Sequence, residues 1–185
     1  MILPIYLYGH PVLRKEAEDI EQDYPDLKKL IGDMYDTMYH SEGVGLAAPQ
    51  IGKSISLIVI DGSVLSDKFP ECANLKMTLI NPELEVIEGS DPVAREEGCL
   101  SLPGISETVK RHEHIRLNWL DENFEEHEQE FSGFASRIIQ HEFDHLLGNV
   151  YTDHISPIRK QLIKSKLNNI AKGKVNCDYR IKAAK

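Results

Sequence analysis

The sequence predicts an α+β fold, with mainly antiparallel β-sheets around a central helix, one helix towards the N-terminus and another towards the C-terminus. Three observations point there. Helical periodicity is confined to three stretches. The β-rich runs are segregated from those stretches and do not alternate with helices as βαβ units would. No internal repeat or low-complexity linker divides the 185 residues, a length that suits one domain with a real core.

The elements follow in chain order. After Tyr24-Pro25, the residues Leu27, Leu30, Ile31, Met34 and Met38 fall on one helical face. Pro25 suits a first helical turn and Gly43 suits a stop, so the first helix is expected over about Pro25 to Ser41. Ser56 to Ile60 (SLIVI) is an apolar β-rich run closed by the turn signal Asp61-Gly62. Residues 62–76 are mixed and polar and read as a long loop, longer than a minimal connection needs. Met77 to Ile80 and Leu84 to Ile87 read as two short strands on either side of Asn81-Pro82. Ile115, Leu117 and Trp119 alternate with polar residues as a half-buried strand does, and Glu128 to Phe131 is a candidate partner. Helical periodicity returns over Gly133 to Leu147, with Phe134, Ile138, His141, His145 and Leu146 near one side and Gly148 as the terminator. Pro157 leads into a last helix, about Ile158 to Ala171, expected to turn Leu162, Ile163, Leu167 and Ile170 inward. The expected organisation is one domain over residues 1–171 and a basic tail over residues 172–185.

Composition bounds the function. The chain is 41% hydrophobic and 28% charged, which is ordinary for a globular protein. Its net charge of −9 excludes a protein whose whole surface binds nucleic acid. From Ile158 to Lys185 there are nine Lys or Arg and one Asp, a local +8 that leaves the rest of the chain at −17. A basic segment on an acidic body is ordinarily solvated, and the alternative is contact with a polyanion. The start, MILPIYLYGHPVLRK, has no Lys or Arg ahead of its apolar run and no small-residue cleavage site, so no secretion signal is expected. No stretch approaches the roughly 20 apolar residues of a spanning helix. Cys72, Cys99 and Cys177 are odd in number and lack CxxC spacing, so a reducing cytoplasm and no disulfide are expected.

The chemistry begins with "QHEFDHLLG", residues 140–148. Side chains four apart on a helix are neighbours on one face, so His141 and His145 can converge on one ion. Glu142 is rotated by about 100° from His141. That is a poor position for a third ligand and a good one for acting on a water at the ion. Both imidazoles share a face with Phe134 and Ile138 and point inward, where an unpaired polar group costs about 1–3 kcal/mol. A metal satisfies both, which makes this central helix a metal-binding one. The third ligand is open on these grounds. Downstream, Asp153 and His154 are possible. Upstream, Cys99 in "REEGCLSLPG" offers a thiolate, which binds borderline metals strongly.

Three segments together resemble the peptide deformylase family: "GVGLAAPQ" (Gly43 to Gln50), "EGCLS" (Glu97 to Ser101) and "HEFDH" (His141 to His145). The opening "YGHPVLR" and "HISPIRK" after the metal helix agree with it. The resemblance implies removal of the formyl group from the N-terminal formyl-methionine of nascent polypeptides, releasing formate. It implies that Cys99, His141 and His145 bind the metal and that Glu142 is the general acid/base assisting a metal-bound hydroxide. It also implies that Gln50 and the backbone N–H of Leu100 stabilise the oxyanion. Backbone around Val44 and Gly45, with Gly98, is expected to pair with an extended substrate, and Val44, Phe134 and Ile138 are the expected walls of a methionine pocket with His141 at its base. The implied native ion is iron(II), with zinc, nickel or cobalt as possible replacements, and a cytoplasmic location follows. The resemblance also raises a ribosome contact through the basic last helix, with Arg159, Lys160, Lys164 and Lys166 as candidates.

Two other readings stay open from the residues. One is a zinc endopeptidase with a downstream third ligand. The other is a non-enzymatic protein with a structural zinc, which needs a fourth protein ligand. Glu97 is read as supporting the Cys99 loop, Arg137 as a residue at the pocket rim, and Asp144 as an ion-pair partner or a contact behind the metal ligands. The remaining histidines are read as structural or exposed, and Cys72 and Cys177 as free thiols.

Overall fold

The computed structural model describes residues 1–184. Its elements are β1 (Ile5–Tyr6), α1 (Leu27–His40), β2 (Gly45–Ala47), β3 (Leu57–Asp61), β4 (Lys76–Val86), β5 (Pro92–Cys99), β6 (Leu102–His112), β7 (His114–Leu120), β8 (Glu126–Ser132), α2 (Gly133–Leu146), α3 (Pro157–Ala171) and β9 (Ile181–Lys182). The fold is α+β, as the sequence predicts. One antiparallel sheet of five strands has the order β2-β3-β4-β7-β8, and β5 and β6 form a separate antiparallel hairpin. Strands β1 and β9 pair in parallel.

The apolar run of β3 explains the layering. Side chains alternate across a strand, and both faces of β3 are buried. Leu57 and Val59 join Leu27, Leu30, Met34 and Met38 of α1 in one core cluster. Ile58 and Ile60 join Ile138 and Ile139 of α2 in another. The sheet is therefore a layer between the two helices, and α2 lies inside the molecule. A third cluster packs Leu102, Ile105 and Val109 of β6 against Ile163 and Ile170 of α3.

Four expectations change. The runs around Asn81-Pro82 are one strand, β4, with a bulge between Ile80 and Glu83. Asn81 takes a left-handed φ of 48°, and its side-chain amide pairs with the backbone of Ile20 in both directions, each bond 2.9 Å. The chain thus passes Pro82, which has no N–H to give, without breaking the strand. Leu162 is 65% exposed, as is Ile158 at 75%, because α3 rests on the hairpin through Ile163 and Ile170 alone among its fully buried side chains. Residues 62–76 contain two short 3₁₀ turns, Ser63–Leu65 and Pro70–Cys72. They also support α2: Glu71 Oε1 accepts the Phe134 N–H at 2.8 Å, and Phe69 stacks on Phe134 with ring centroids 4.1 Å apart. Finally, the β5–β6 hairpin is not foreshadowed by periodicity. Its inward face runs Ile105, Glu107, Val109, Arg111, all buried, so two charges interrupt the apolar alternation.

Candidate metal centre

Two elements bring the candidate ligands together. Helix α2 presents His141 and His145 from its buried face, 8% and 1% exposed. The turn joining β5 to β6 presents Cys99, opposite Leu102 across a register shift. The Cys99 Sγ and one ring nitrogen of each histidine all lie within 4.8 Å of one another. Cys99 Sγ is 3.4 Å from His145 Nε2, and the two rings meet edge to face at 5.4 Å. No fourth His, Cys, Asp or Glu among the described residues joins this group.

The downstream alternatives are engaged elsewhere. Asp153 accepts from both terminal nitrogens of Arg14. His154 Nε2 lies 2.7 Å from Asp144 Oδ2.

One carboxylate organises the ligand set from behind. Glu97 is buried and takes the bond from His141 Nδ1 on its Oε1 at 2.8 Å. An ionised carboxylate only accepts, so a proton sits on Nδ1 and Nε2 is the ring nitrogen left to face the cleft. Burial alone pushes the Glu97 carboxyl up, but the bonds from His141 and Arg111 outweigh it and hold it down at about 2. Arg111 meets Glu97 with Nε at 2.7 Å and Nη2 at 3.0 Å, and Asp144 with Nη1 at 2.9 Å. Arg137 lines the cleft, as the sequence suggested, but behind its surface and not at an exposed rim. Its side chain is buried and its guanidinium bonds Glu97 and the carbonyls of Val109 and Val93. It ties α2 to both strands of the hairpin and so fixes the helix ligands relative to the turn ligand. Asp144 is an ion-pair partner, of Arg111, and its Oδ2 also lies 2.7 Å from His154 Nε2. Sequence reasoning missed Arg111 because nothing in the spacing marks a lone Arg on a strand.

The site's electrostatics are those of crowded buried groups. Burial, reinforced by the charge of His141, pushes His145 down to about 3, so its ring is neutral and its lone pair is free for a ligand bond. Burial works against protonation of His141 too, but its bonds to Cys99 and Glu97 hold it well above the ordinary value. Burial pushes the Glu142 carboxyl up to about 7 against the charges of His141 and Arg111. Two polar atoms here are buried without any hydrogen-bond partner, Glu142 Oε2 and His145 Nδ1. Buried unsatisfied groups call for an explanation. A thiolate, two imidazoles and an adjacent unpaired carboxylate fit a divalent ion with an open position for water.

The remaining candidates surround the same cleft of about 820 Å³, which Val44, Gly45, Gly98, Phe134, Ile138 and His141 all line. Gln50, Leu100 and Glu142 also line it. Gln50 is oriented by the backbone three residues before it: its Oε1 accepts the Ala47 N–H at 3.0 Å. Its Nε2 therefore points to Cys99 Sγ at 3.4 Å and Ser101 Oγ at 3.2 Å. Strand β2, carrying Gly45, is an edge strand of the five-stranded sheet. An edge strand has backbone groups free to take an added strand.

Comparisons with known proteins agree in one direction. A family model described as polypeptide deformylase matches residues 2–161. A peptide deformylase of Christiangramia forsetii is 46% identical over 189 residues, spanning 98% of this chain and 96% of its own. One of Cytophaga hutchinsonii is 45% identical, spanning 98% and 97%. Among solved structures, peptide deformylase from Thermus thermophilus superposes with a TM-score of 0.81 at 35% identity, covering 94% of this chain and 100% of that one. The Thermotoga maritima enzyme gives 0.75 at 40% identity, covering 85% and 99%.

Proposed function

The chain belongs to the peptide deformylase family, and from that premise we propose how its residues divide the work. The reaction is a metal-dependent hydrolysis that removes the formyl group from the N-terminus of newly made polypeptides. In our reading Cys99, His141 and His145 hold the metal. The observation that carries this is their convergence, a half-buried thiol facing two buried imidazoles, with all three donor atoms within 4.8 Å.

A divalent ion in that donor set supplies Lewis acidity and lowers the pKa of a water. Glu142 takes the proton from the attacking water and hands it to the departing amine, so formate and a free N-terminus result. Burial raises this carboxyl and the charge of a bound ion would lower it; a side chain held between those opposing effects can take a proton and return it. The Nε2 of Gln50 and the N–H of Leu100 receive the negative charge that develops on the formyl oxygen. Val44, Gly45 and Gly98 offer backbone to an extended peptide. Phe134 and Ile138, with Val44, take the methionine side chain.

Iron(II) is our reading for the native ion. Thiolate with imidazole suits it, and suits zinc, nickel and cobalt as well. The work is placed in the cytoplasm, where new chains carry the formyl group. No helix among the described residues is long and apolar enough to cross a membrane. The last helix is proposed to meet the ribosome: Ile158 and Leu162 are exposed on it, beside Lys160, Lys164 and Lys166. Arg159 is withdrawn from that set, since it pairs with Glu107.

The ligand assignment is tested by metal content. Cys99→Ser is expected to lose stoichiometric metal and formate release, whereas His154→Ala keeps both. Full metal retention in Cys99→Ser returns the third ligand to the downstream residues.

A further inference from the structure

The family match ends at residue 161, but the chain after it stays at the site. Helix α3 stops at Ala171, and Gly173 turns the backbone with a φ of 70°. The segment that follows lines the cleft with Asn176, Cys177, Asp178 and Tyr179. Its far end is pinned to the first strand, where Ile5 N–H bonds Arg180 O and Leu7 N–H bonds Lys182 O, each at 2.9 Å.

One side chain of this segment reaches the Cys99 turn. The Tyr179 hydroxyl donates to the Leu100 carbonyl at 2.8 Å, and its ring packs in the same apolar cluster as the Leu100 side chain. The rest of the turn is held from other directions. Ser101 O accepts the Tyr8 N–H at 2.8 Å, and Ser101 Oγ accepts from Gln50 at 3.2 Å. Among the described residues no other hydrogen bond reaches the Leu100 carbonyl.

We propose that Tyr179 is a positioning residue for deformylation, acting through the Leu100 carbonyl to hold the turn that carries Cys99 and the Leu100 N–H. This rests on the reading of Cys99 and Leu100 given above. The N–H and C=O of Leu100 lie on consecutive peptide planes joined at one Cα. Fixing the carbonyl restricts rotation at Leu100, and with it the direction of the N–H. A charge-stabilising donor works when it is already aimed where charge will develop. A small displacement of such a group is costly even when made from a distance. The basic tail, which the sequence leaves without a role, thereby becomes a third tether on the turn.

Tyr179→Phe tests this, because it keeps the ring and its packing and deletes only the hydroxyl. In the metal-loaded enzyme, kcat for formate release from a formyl-Met peptide is expected to fall roughly tenfold, as displacement of a positioned group does. KM, metal content and melting temperature are expected to stay near wild type. Amide hydrogen exchange at Leu100 and Ser101 is expected to quicken, which is read without any turnover. Unchanged kcat with unchanged exchange overturns the proposal. A raised KM at constant kcat also overturns it, leaving Tyr179 as a cleft wall. A wild-type protein that releases no formate contradicts the activity instead, and the exchange comparison still decides the tether.

Discussion

The carboxylate of Glu142 occupies the space that a side chain on Gly45 would fill. A Cβ at residue 45 would lie 2.6 Å from Glu142 Oε1 and 2.8 Å from its Cγ, closer than such atoms approach. The two residues come from different motifs, one on an edge strand and one on the buried helix. Gly45→Ala is therefore expected to push the carboxylate out of position, with kcat reduced on the order of 10²-fold and metal content retained. Parallel measurement of formate release and bound metal checks it. An alanine variant with wild-type turnover shows that Glu142 need not sit where it does.

Glu97 holds His141 from behind and pairs with two buried guanidinium groups, of which Arg111 also meets Asp144. Glu97→Gln keeps the shape but leaves Arg111 and Arg137 short of a counter-charge, a loss of about 3–5 kcal/mol for a broken buried pair. Metal affinity is expected to drop about 10–100-fold with the loss of a carboxylate behind a histidine ligand. Denaturant unfolding of the metal-free protein and metal competition titration measure the two effects separately. A variant as stable as wild type with full affinity would show the network to be incidental.

Asp153, one of the downstream ligand alternatives, has a different part. Burial raises its carboxyl, but the Arg14 bonds and the Val150 N–H outweigh that and hold it below the ordinary 3.8. A carboxyl lowered on folding contributes stability above its unfolded value and loses it as pH falls through the folded one. Asp153→Asn is expected to be less stable by about 1 kcal/mol or less at neutral pH, because the pair is partly exposed. The gap closes as pH drops below 3.8. Unfolding curves at neutral and acid pH show it, and loss of metal from this variant would reopen the ligand question.

The exposed face of α3 carries its own prediction. Simultaneous Lys160→Glu, Lys164→Glu and Lys166→Glu changes are expected to weaken co-sedimentation with ribosomes while formate release from a free formyl-Met peptide is unchanged. Co-sedimentation at the wild-type level removes the ribosome from the account.

The site was more legible in the sequence than the frame that holds it. The pair His141 and His145 could be read because helical spacing dictates a shared face. Their inward direction followed from Phe134 and Ile138. The strand β3 could be read from its unbroken apolar run. The β5–β6 hairpin could not, because Glu107 and Arg111 stand at inward positions where only their partners, Arg159 and Glu97, make burial tolerable. Those partners are distant in sequence, so no local pattern reports them. Leu162 failed for the opposite reason: its spacing suits a buried face, but α3 leaves that side uncovered. Tyr179 carries no signal at all, since its role depends on where the segment after α3 returns.

The most direct test of the central claim is formate release measured together with metal content for Glu142→Gln and wild type, both purified without oxygen. Equal bound metal is expected in the two proteins, with formate released from a formyl-Met peptide by the wild type and turnover lower by at least about 10²-fold in the variant. Wild-type turnover in Glu142→Gln with metal in place would contradict the claim.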